Sequence, residues 1–203
     1  MARAKIADIR RREIIDAAYK VFSEKGYHNS GIADIAAELQ MGHGTFYRYF
    51  KNKQDIASYV IDSVIADMTE VVTAEPPEGI KTLEQYRERL GSIGTRMFAA
   101  FEEDPQLQKF LFYEALSIDE QITRKITDAF DLFASFTEMY LRNGIREGFL
   151  RPDINTREAS LAINAMIFEA ARRLALSPEP NDEMKAVWFE TVVGLLLDGL
   201  ALR

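Results

Sequence analysis

An all-α protein is what this chain predicts, and three observations carry the expectation. Apolar residues recur at helical spacing through nearly all of its 203 residues. No alternating, strand-like run competes with them. The residues between the apolar runs are those that start and stop helices. About nine helices are expected: three short ones forming a head, residues 1–53, and six longer ones forming a body, residues 54–203.

The first helix is expected over 7–25, with Ile14, Ala18, Val21 and Phe22 as its buried stripe and Gly26 as its stop. In the second, Ile32, Ile35, Ala36 and Leu39 sit at i, i+3, i+4 and i+7, and Ser30 stands where its hydroxyl would cap the N-terminus. A tight turn leads to residues 43–50, where Phe46 and Phe50 share a face while Thr45, Tyr47, Arg48 and Tyr49 point elsewhere. Asn52 suits the N-cap of a long helix over 53–73. Glu75-Pro76-Pro77-Glu78-Gly79 ends that helix, because two prolines cannot continue it. Further helices are expected at 80–103, 105–117, 119–147, 155–176 and 182–201. Their breaks fall at Asp104-Pro105, Ser117 to Asp119, Gly148 to Ile154 and Ser177 to Asp182, and Pro105 fits a first helical turn.

Composition narrows the function. The chain is 47% hydrophobic, enough for a sizeable core, and has no cysteine, which excludes disulfides and thiolate metal sites and suits a reducing cytoplasm. No apolar run approaches the roughly 20 residues of a membrane span, and the N-terminus is charged from Arg3 onward, unlike a signal peptide. A cytoplasmic protein without membrane contact is expected. His28 and His43 have no partner at metal-ligand spacing, and no nucleophile motif accompanies them, so no metal, cofactor or catalytic residue is expected. The net charge of −7 is unevenly spread. Residues 1–53 hold 10 Lys and Arg against 6 Asp and Glu; residues 54–203 hold 15 against 26. A polyanion would meet the N-terminal face only.

A helix as short as 43–50 does not need so many exposed donors for its own stability. With the preceding helix and turn it reads as a helix-turn-helix whose second element touches phosphates and base edges. Gly26-Tyr27, Ile35-Ala36, the run Gly44-Thr45-Phe46-Tyr47-Arg48-Tyr49-Phe50 and Lys51-Asn52-Lys53 resemble the DNA-binding region of TetR-family transcriptional regulators. The resemblance is sharp over residues 9–56. Beyond them it is carried by length, helical pattern and Gly148-Phe149-Leu150-Arg151-Pro152-Asp153. It implies that His43, Thr45, Tyr47 and Arg48 face the major groove, with Tyr49, Lys53 and Ser30 on phosphate. Arg11, from the Arg10-Arg11-Arg12 cluster, is a further phosphate candidate. The chain departs from the family pattern at Gln40, where a glycine is common, at Gly42, where a serine is common, and at Gly31, where a Ser or Thr is common.

In the body, Ile126, Phe130, Phe133, Thr137 and Tyr140 form one apolar face interrupted by a hydroxyl. Such a stripe is core or pocket wall. The resemblance implies a ligand cavity there, with Phe98, Phe101, Phe110, Phe130, Phe133, Phe136, Thr137 and Tyr140 as wall and Asn164 and Glu169 as orienting groups. Arg96, Glu114 and Asn143 are weaker candidates. The expected effector is a small apolar or amphipathic molecule, a cationic lipophile ahead of an anionic acyl chain because of Glu114 and Glu169, with Arg96, Arg172 and Arg173 keeping the latter open. The last two helices are apolar on more than one side, which calls for a partner; the resemblance implies a four-helix homodimer interface including Ile163, Ile167, Trp188, Val193, Leu196 and Leu197. Together these imply a homodimeric, ligand-responsive regulator, a repressor on a palindromic double-stranded DNA operator. The competing expectation is a structural or partner-regulated DNA-binding protein without an effector.

Overall fold

A computed structural model describes residues 2–102, 110–176 and 182–201. The described residues form eight α-helices: α1 (Ala2–Lys25), α2 (Ile32–Glu38), α3 (His43–Phe46), α4 (Lys53–Thr73), α5 (Leu83–Glu102), α6 (Glu120–Arg146), α7 (Thr156–Leu176) and α8 (Asp182–Leu200). A π-helical turn (Phe110–Glu114) running into a 3-10 turn (Ala115–Ser117) stands where the end of a helix over 105–117 is expected. The breaks at Asp104-Pro105 and Ser177 to Pro180 lie outside the described residues. Among the described residues, extended pairing is limited to one antiparallel bridge, Leu150 with Ala201.

By packing, the chain divides into two compact units. One comprises Met1–Ala66 with Asp104–Ile126, the other Asp67–Glu103 with Thr127–Arg203. The first is therefore larger than the three-helix head of residues 1–53.

In the first unit Ile14, Ala18, Val21 and Phe22 of α1 are buried, as their spacing predicts, together with Ile35, Ala36, Phe46 and Phe50. The Phe46 and Phe50 rings lie 5.7 Å apart, and Phe50 meets Tyr59 of α4 edge-on at 5.6 Å. Asn52 caps α4 through its Oδ1, which accepts from the Asp55 N–H at 2.7 Å. Ser30 does not cap α2. Its hydroxyl turns back and donates to the Tyr27 carbonyl at 3.0 Å, and the N-cap is Gly31, whose N–H donates to Asp34 at 2.7 Å. The Asp34 carboxylate, three residues into the helix, thereby makes the reciprocal half of a capping box, and no side chain makes the cap bond expected of the serine.

The second unit is built on a cluster that includes Ile80, Tyr86, Tyr140, Leu141, Leu150, Ile163, Val193 and Leu197, all buried. Asn143 is buried among them and holds the start of α5, donating to the Ile80 carbonyl at 3.1 Å while accepting from Arg146. It is a structural tie and not a ligand-facing group. The turn after α6 closes on Gly144, whose carbonyl accepts from both Phe149 and Leu150, and Arg151 then donates to Leu200 of α8.

Candidate nucleic-acid interface and effector cavity

The turn between α2 and α3 has the Schellman pattern: Met41 N–H donates to Ala36 O across six residues, and Gln40 N–H donates to Ala37 O. Its left-handed position is Gln40, at φ 51°, the position where the family commonly has glycine. Gln40 thus adopts a conformation that costs an L-residue about 1 kcal/mol. The turn places α3 across α2, with Gly42 as N-cap and no side-chain cap. Regular α-helix lasts only from His43 to Phe46; Tyr47 to Tyr49 continue as hydrogen-bonded turn, and Phe50 N–H still reaches Phe46 O at 3.1 Å. Two glycines in so short an element explain its brevity.

Phe46 and Phe50 face inward and pin this segment, which decides what faces out. His43, Tyr47 and Arg48 are exposed, Tyr47 by 56%. Thr45 and Tyr49 are half-buried beside them. The other three DNA candidates are already engaged. Ser30 is buried. Lys53 donates to the Ser30 carbonyl at 2.7 Å, lies over the Tyr27 ring at 4.1 Å, and its burial lowers its pKa. Arg11 sits over the rings of Phe50 (4.8 Å) and Tyr59 (4.2 Å) and reaches the Tyr49 carbonyl at 3.4 Å. Arg11 thus braces the end of the reading segment, whereas Lys53 ties α4 to the loop before α2.

The 110–117 segment closes on the other end of α1. Phe110 stacks on Phe22 at 5.7 Å and is 1% exposed, so it is core of the first unit and does not line a body cavity. Glu114 accepts from the Tyr27 N–H, and Ser117 pairs with His28 at 3.0 Å. Gly26 makes this possible. Its φ is +80°, and a Cβ there would stand 2.8 Å from the Glu114 carboxylate.

In the second unit, α5 to α8, joined by Val72 of α4, border a cavity of about 150 Å³. α5 contributes Tyr86, Leu90, Ile93, Gly94 and Met97; α6 contributes Phe133, Phe136, Thr137 and Tyr140. α7 adds Ile163, Asn164, Ile167 and Phe168 among others, and α8 adds the face from Trp188 to Leu200. Among the described residues, none that lines the cavity carries a formal charge. The polar groups are few. Asn164 uses its amide nitrogen on Thr137 and on the Ser160 carbonyl, both at 2.8 Å, so what it offers a ligand is its carbonyl oxygen, an acceptor. Tyr140 donates to the Glu75 carbonyl; burial pushes its pKa up to about 12 and that of Tyr86 further still, so both phenols are neutral.

Of the expected wall, Phe133, Phe136, Thr137, Tyr140 and Asn164 line this cavity. Phe130 instead is 38% exposed and packs at a tilt against Phe168, ring centroids 4.5 Å apart. The Phe98 and Phe101 side chains lie outside the described residues. Glu169 is absent from the wall: Arg172 and Arg173 hold its carboxylate at 2.7 Å each and its pKa down to about 2. Arg96 is drawn to Glu75. All six residues expected at a dimer interface, Ile163, Ile167, Trp188, Val193, Leu196 and Leu197, line the cavity, and Val193 and Leu197 are almost fully buried within the subunit. The outward faces of α7 and α8 carry other apolar residues, Leu161 (38% exposed), Val187 (60%) and Leu195 (64%). On α5, sequence reasoning named Phe98 and Phe101 and missed Tyr86, Leu90, Ile93, Gly94 and Met97, whose signal is a pair of glycines, Gly91 and Gly94, in the middle of an otherwise regular helix.

A family profile for bacterial regulatory proteins of the tetR family matches residues 14–60. Over 188 residues, 93% of this chain and 94% of the other, the sequence is 26% identical to the fatty acid metabolism regulator protein of Bacillus subtilis. The crystal structure of the Bacillus subtilis transcriptional regulator FadR in complex with stearoyl-CoA superposes with a TM-score of 0.76 at 26% identity, covering 93% of this chain and 98% of that one. The fatty acid degradation regulator FadR of Bacillus halodurans shares the fold, with a TM-score of 0.79 at 24% identity over 95% and 97% of the two chains.

Proposed function

We propose a mechanism for this chain, which belongs to the tetR family of bacterial regulatory proteins and is a DNA-binding transcriptional regulator. As a homodimer it represses from a palindromic operator, and it lets go when the acyl portion of a fatty acyl-CoA enters the body cavity. DNA binding is assigned to residues 1–53 and the effector and dimer contacts to the remainder.

The observation that carries this reading is the cavity itself. A fully packed body would favour regulation by a protein partner. This body encloses apolar space with one acceptor, Asn164, and no charge on its walls. With Glu169 bound by two arginines and Glu114 committed to Tyr27, no carboxylate faces the space, so the preference for a cationic lipophile turns over in favour of a neutral hydrocarbon portion. The 26% identity along the whole length to a regulator crystallised with stearoyl-CoA supports the same class. On the DNA side, His43, Tyr47 and Arg48 project from a segment locked by Phe46 and Phe50, where a rigid recognition element needs them. For the dimer, Leu161, Val187 and Leu195 supply an outward apolar surface on the two helices the family resemblance assigns to it.

The test is operator binding by fluorescence anisotropy, on a palindromic fragment selected from random DNA, with acyl-CoAs added. Release of DNA, and sedimentation as a dimer that Leu195→Glu converts to monomer, are the expected results. Operator affinity unmoved by every acyl-CoA, in a protein that still sediments as a dimer, would favour the partner-regulated alternative.

A further inference from the structure

We propose that Phe189 of α8, seated on Gly94 of α5, sets the length of hydrocarbon chain that the cavity accepts, and that the cavity as built selects a chain about six carbons deep. The inference rests on the reading that this cavity holds the effector's apolar portion.

Gly91 and Gly94 lie one turn apart in the interior of a 20-residue helix. Each weakens a helix by about 1 kcal/mol relative to alanine, and neither adopts a positive φ that would require glycine. What they provide is a flat step of bare backbone. The Phe189 ring rests on it: a Cβ at Gly94 would stand 3.1 and 3.2 Å from two ring carbons, closer than side chains tolerate without giving way, whereas one at Gly91 would make ordinary contact at 3.5 Å. Gly94 therefore decides how deeply the ring sinks into α5. Both Gly94 and Phe189 border the cavity, so every fraction of an ångström by which the ring rises is taken from the ligand's space.

The size of that space makes the ring's position consequential. An apolar cavity of about 150 Å³ takes one benzene-sized molecule. A longer chain needs volume that the observed packing does not leave. Two other aromatic side chains on the wall are held by neighbours: Tyr140 is hydrogen-bonded to the Glu75 carbonyl, and Phe168 packs at a tilt against Phe130. Phe189 is held by a smooth step and limits the chain.

The experiment measures dissociation constants by calorimetry for two probe series on the full-length protein: saturated acyl-CoAs of four to sixteen carbons, and alkylbenzenes from benzene to hexylbenzene. The second series needs only the cavity. Wild type should bind best near hexanoyl-CoA in the first series and near benzene, the six-carbon member, in the second. Phe189→Ala, with Phe189→Leu as the milder variant, should improve the long members relative to the short by more than tenfold, since each methylene accommodated strengthens binding about fourfold. Gly94→Ala should act in the opposite sense. Ratios between lengths within one variant do not depend on its folded fraction. Length profiles that stay the same in Phe189→Ala and Gly94→Ala would overturn the proposal. Acyl-CoAs that never bind while the alkylbenzene profile shifts as stated would refute the acyl-CoA reading and leave the role of Phe189 standing. If neither series binds, both fall.

Discussion

The reading segment and the effector cavity are both aromatic-rich, yet they use their rings in opposite ways. In the reading segment Phe46 and Phe50 are at most 1% exposed and pack ring against ring, so the segment is held rigid and its function lies in what is left outside, His43, Tyr47 and Arg48. In the body Phe133, Phe136 and Tyr140 stand around a space and leave it unfilled. A buried aromatic stripe thus marks either a scaffold or a wall. What separates the two is whether the opposing side chains meet it, and that is a property of the packing of several helices together.

The largest effect expected from this contrast is on stability. Phe46→Ala removes a fully buried ring and should destabilise the protein by about 3–5 kcal/mol, with DNA binding lost. Phe136→Ala, at a half-buried position already bordering a cavity, should cost no more than about 2 kcal/mol. Urea unfolding followed by circular dichroism checks both, and equal losses would erase the distinction between scaffold and wall. Next comes Arg48→Ala, which should leave the melting curve unchanged and reduce discrimination between the operator and single-base variants by about 1–3 kcal/mol. Equal losses on specific and random DNA would make Arg48 a backbone contact.

Lys53→Ala separates bracing from binding. Losing its bond to Ser30 and its place over Tyr27 should destabilise the protein by about 1 kcal/mol. Losing its charge should flatten the plot of log affinity against log salt by about one unit. A stability loss with the salt slope intact would make Lys53 purely structural. Gln40→Gly should raise stability by about 0.5–1 kcal/mol, because glycine relieves the left-handed strain while giving back part of the gain in unfolded-state entropy. Smallest is an acid effect in the body. Glu75 is held below its ordinary value of 4.5 chiefly by the Ser92 hydroxyl, with Arg96 and Arg89 assisting. Because the folded value is the lower one, its contribution is full above pH 4.5 and is lost as pH falls through the depressed value. Glu75→Gln should reduce the acid sensitivity of the melting temperature, by an amount worth less than about 0.5 kcal/mol.

The reading segment was largely legible in the sequence because its logic is local. Phe46 and Phe50 share a face within one turn, and that alone turns Tyr47 and Arg48 outward. What was not legible there depends on residues distant in the chain. Ser30 was expected at the cap, but its hydroxyl turns back to Tyr27, and the side-chain bond at this helix start runs from the Gly31 N–H to Asp34. Arg11 reaches rings some forty residues away. In the body the helices were legible to within a few residues, and Thr137, Tyr140 and Asn164 did reach the cavity. Periodicity shows that α7 and α8 have two apolar sides without telling which side meets a partner and which meets a space. Trp188, Val193 and Leu196 were expected against a partner and also border the cavity, Val193 buried and the other two half-buried, while Leu161, Val187 and Leu195 are exposed. Phe110 shows the same limit: its apolar neighbours are in α1, and no spacing rule connects it with Phe22.

The claim that the cavity governs DNA binding is tested most directly by measuring both couplings in one system. Operator affinity is determined with and without saturating hexanoyl-CoA, and hexanoyl-CoA affinity with and without saturating operator. Linkage requires the two ratios to be equal. The account predicts that each ligand weakens the other by the same factor, tenfold or more. A factor of one in both directions, with hexanoyl-CoA demonstrably bound, would contradict it.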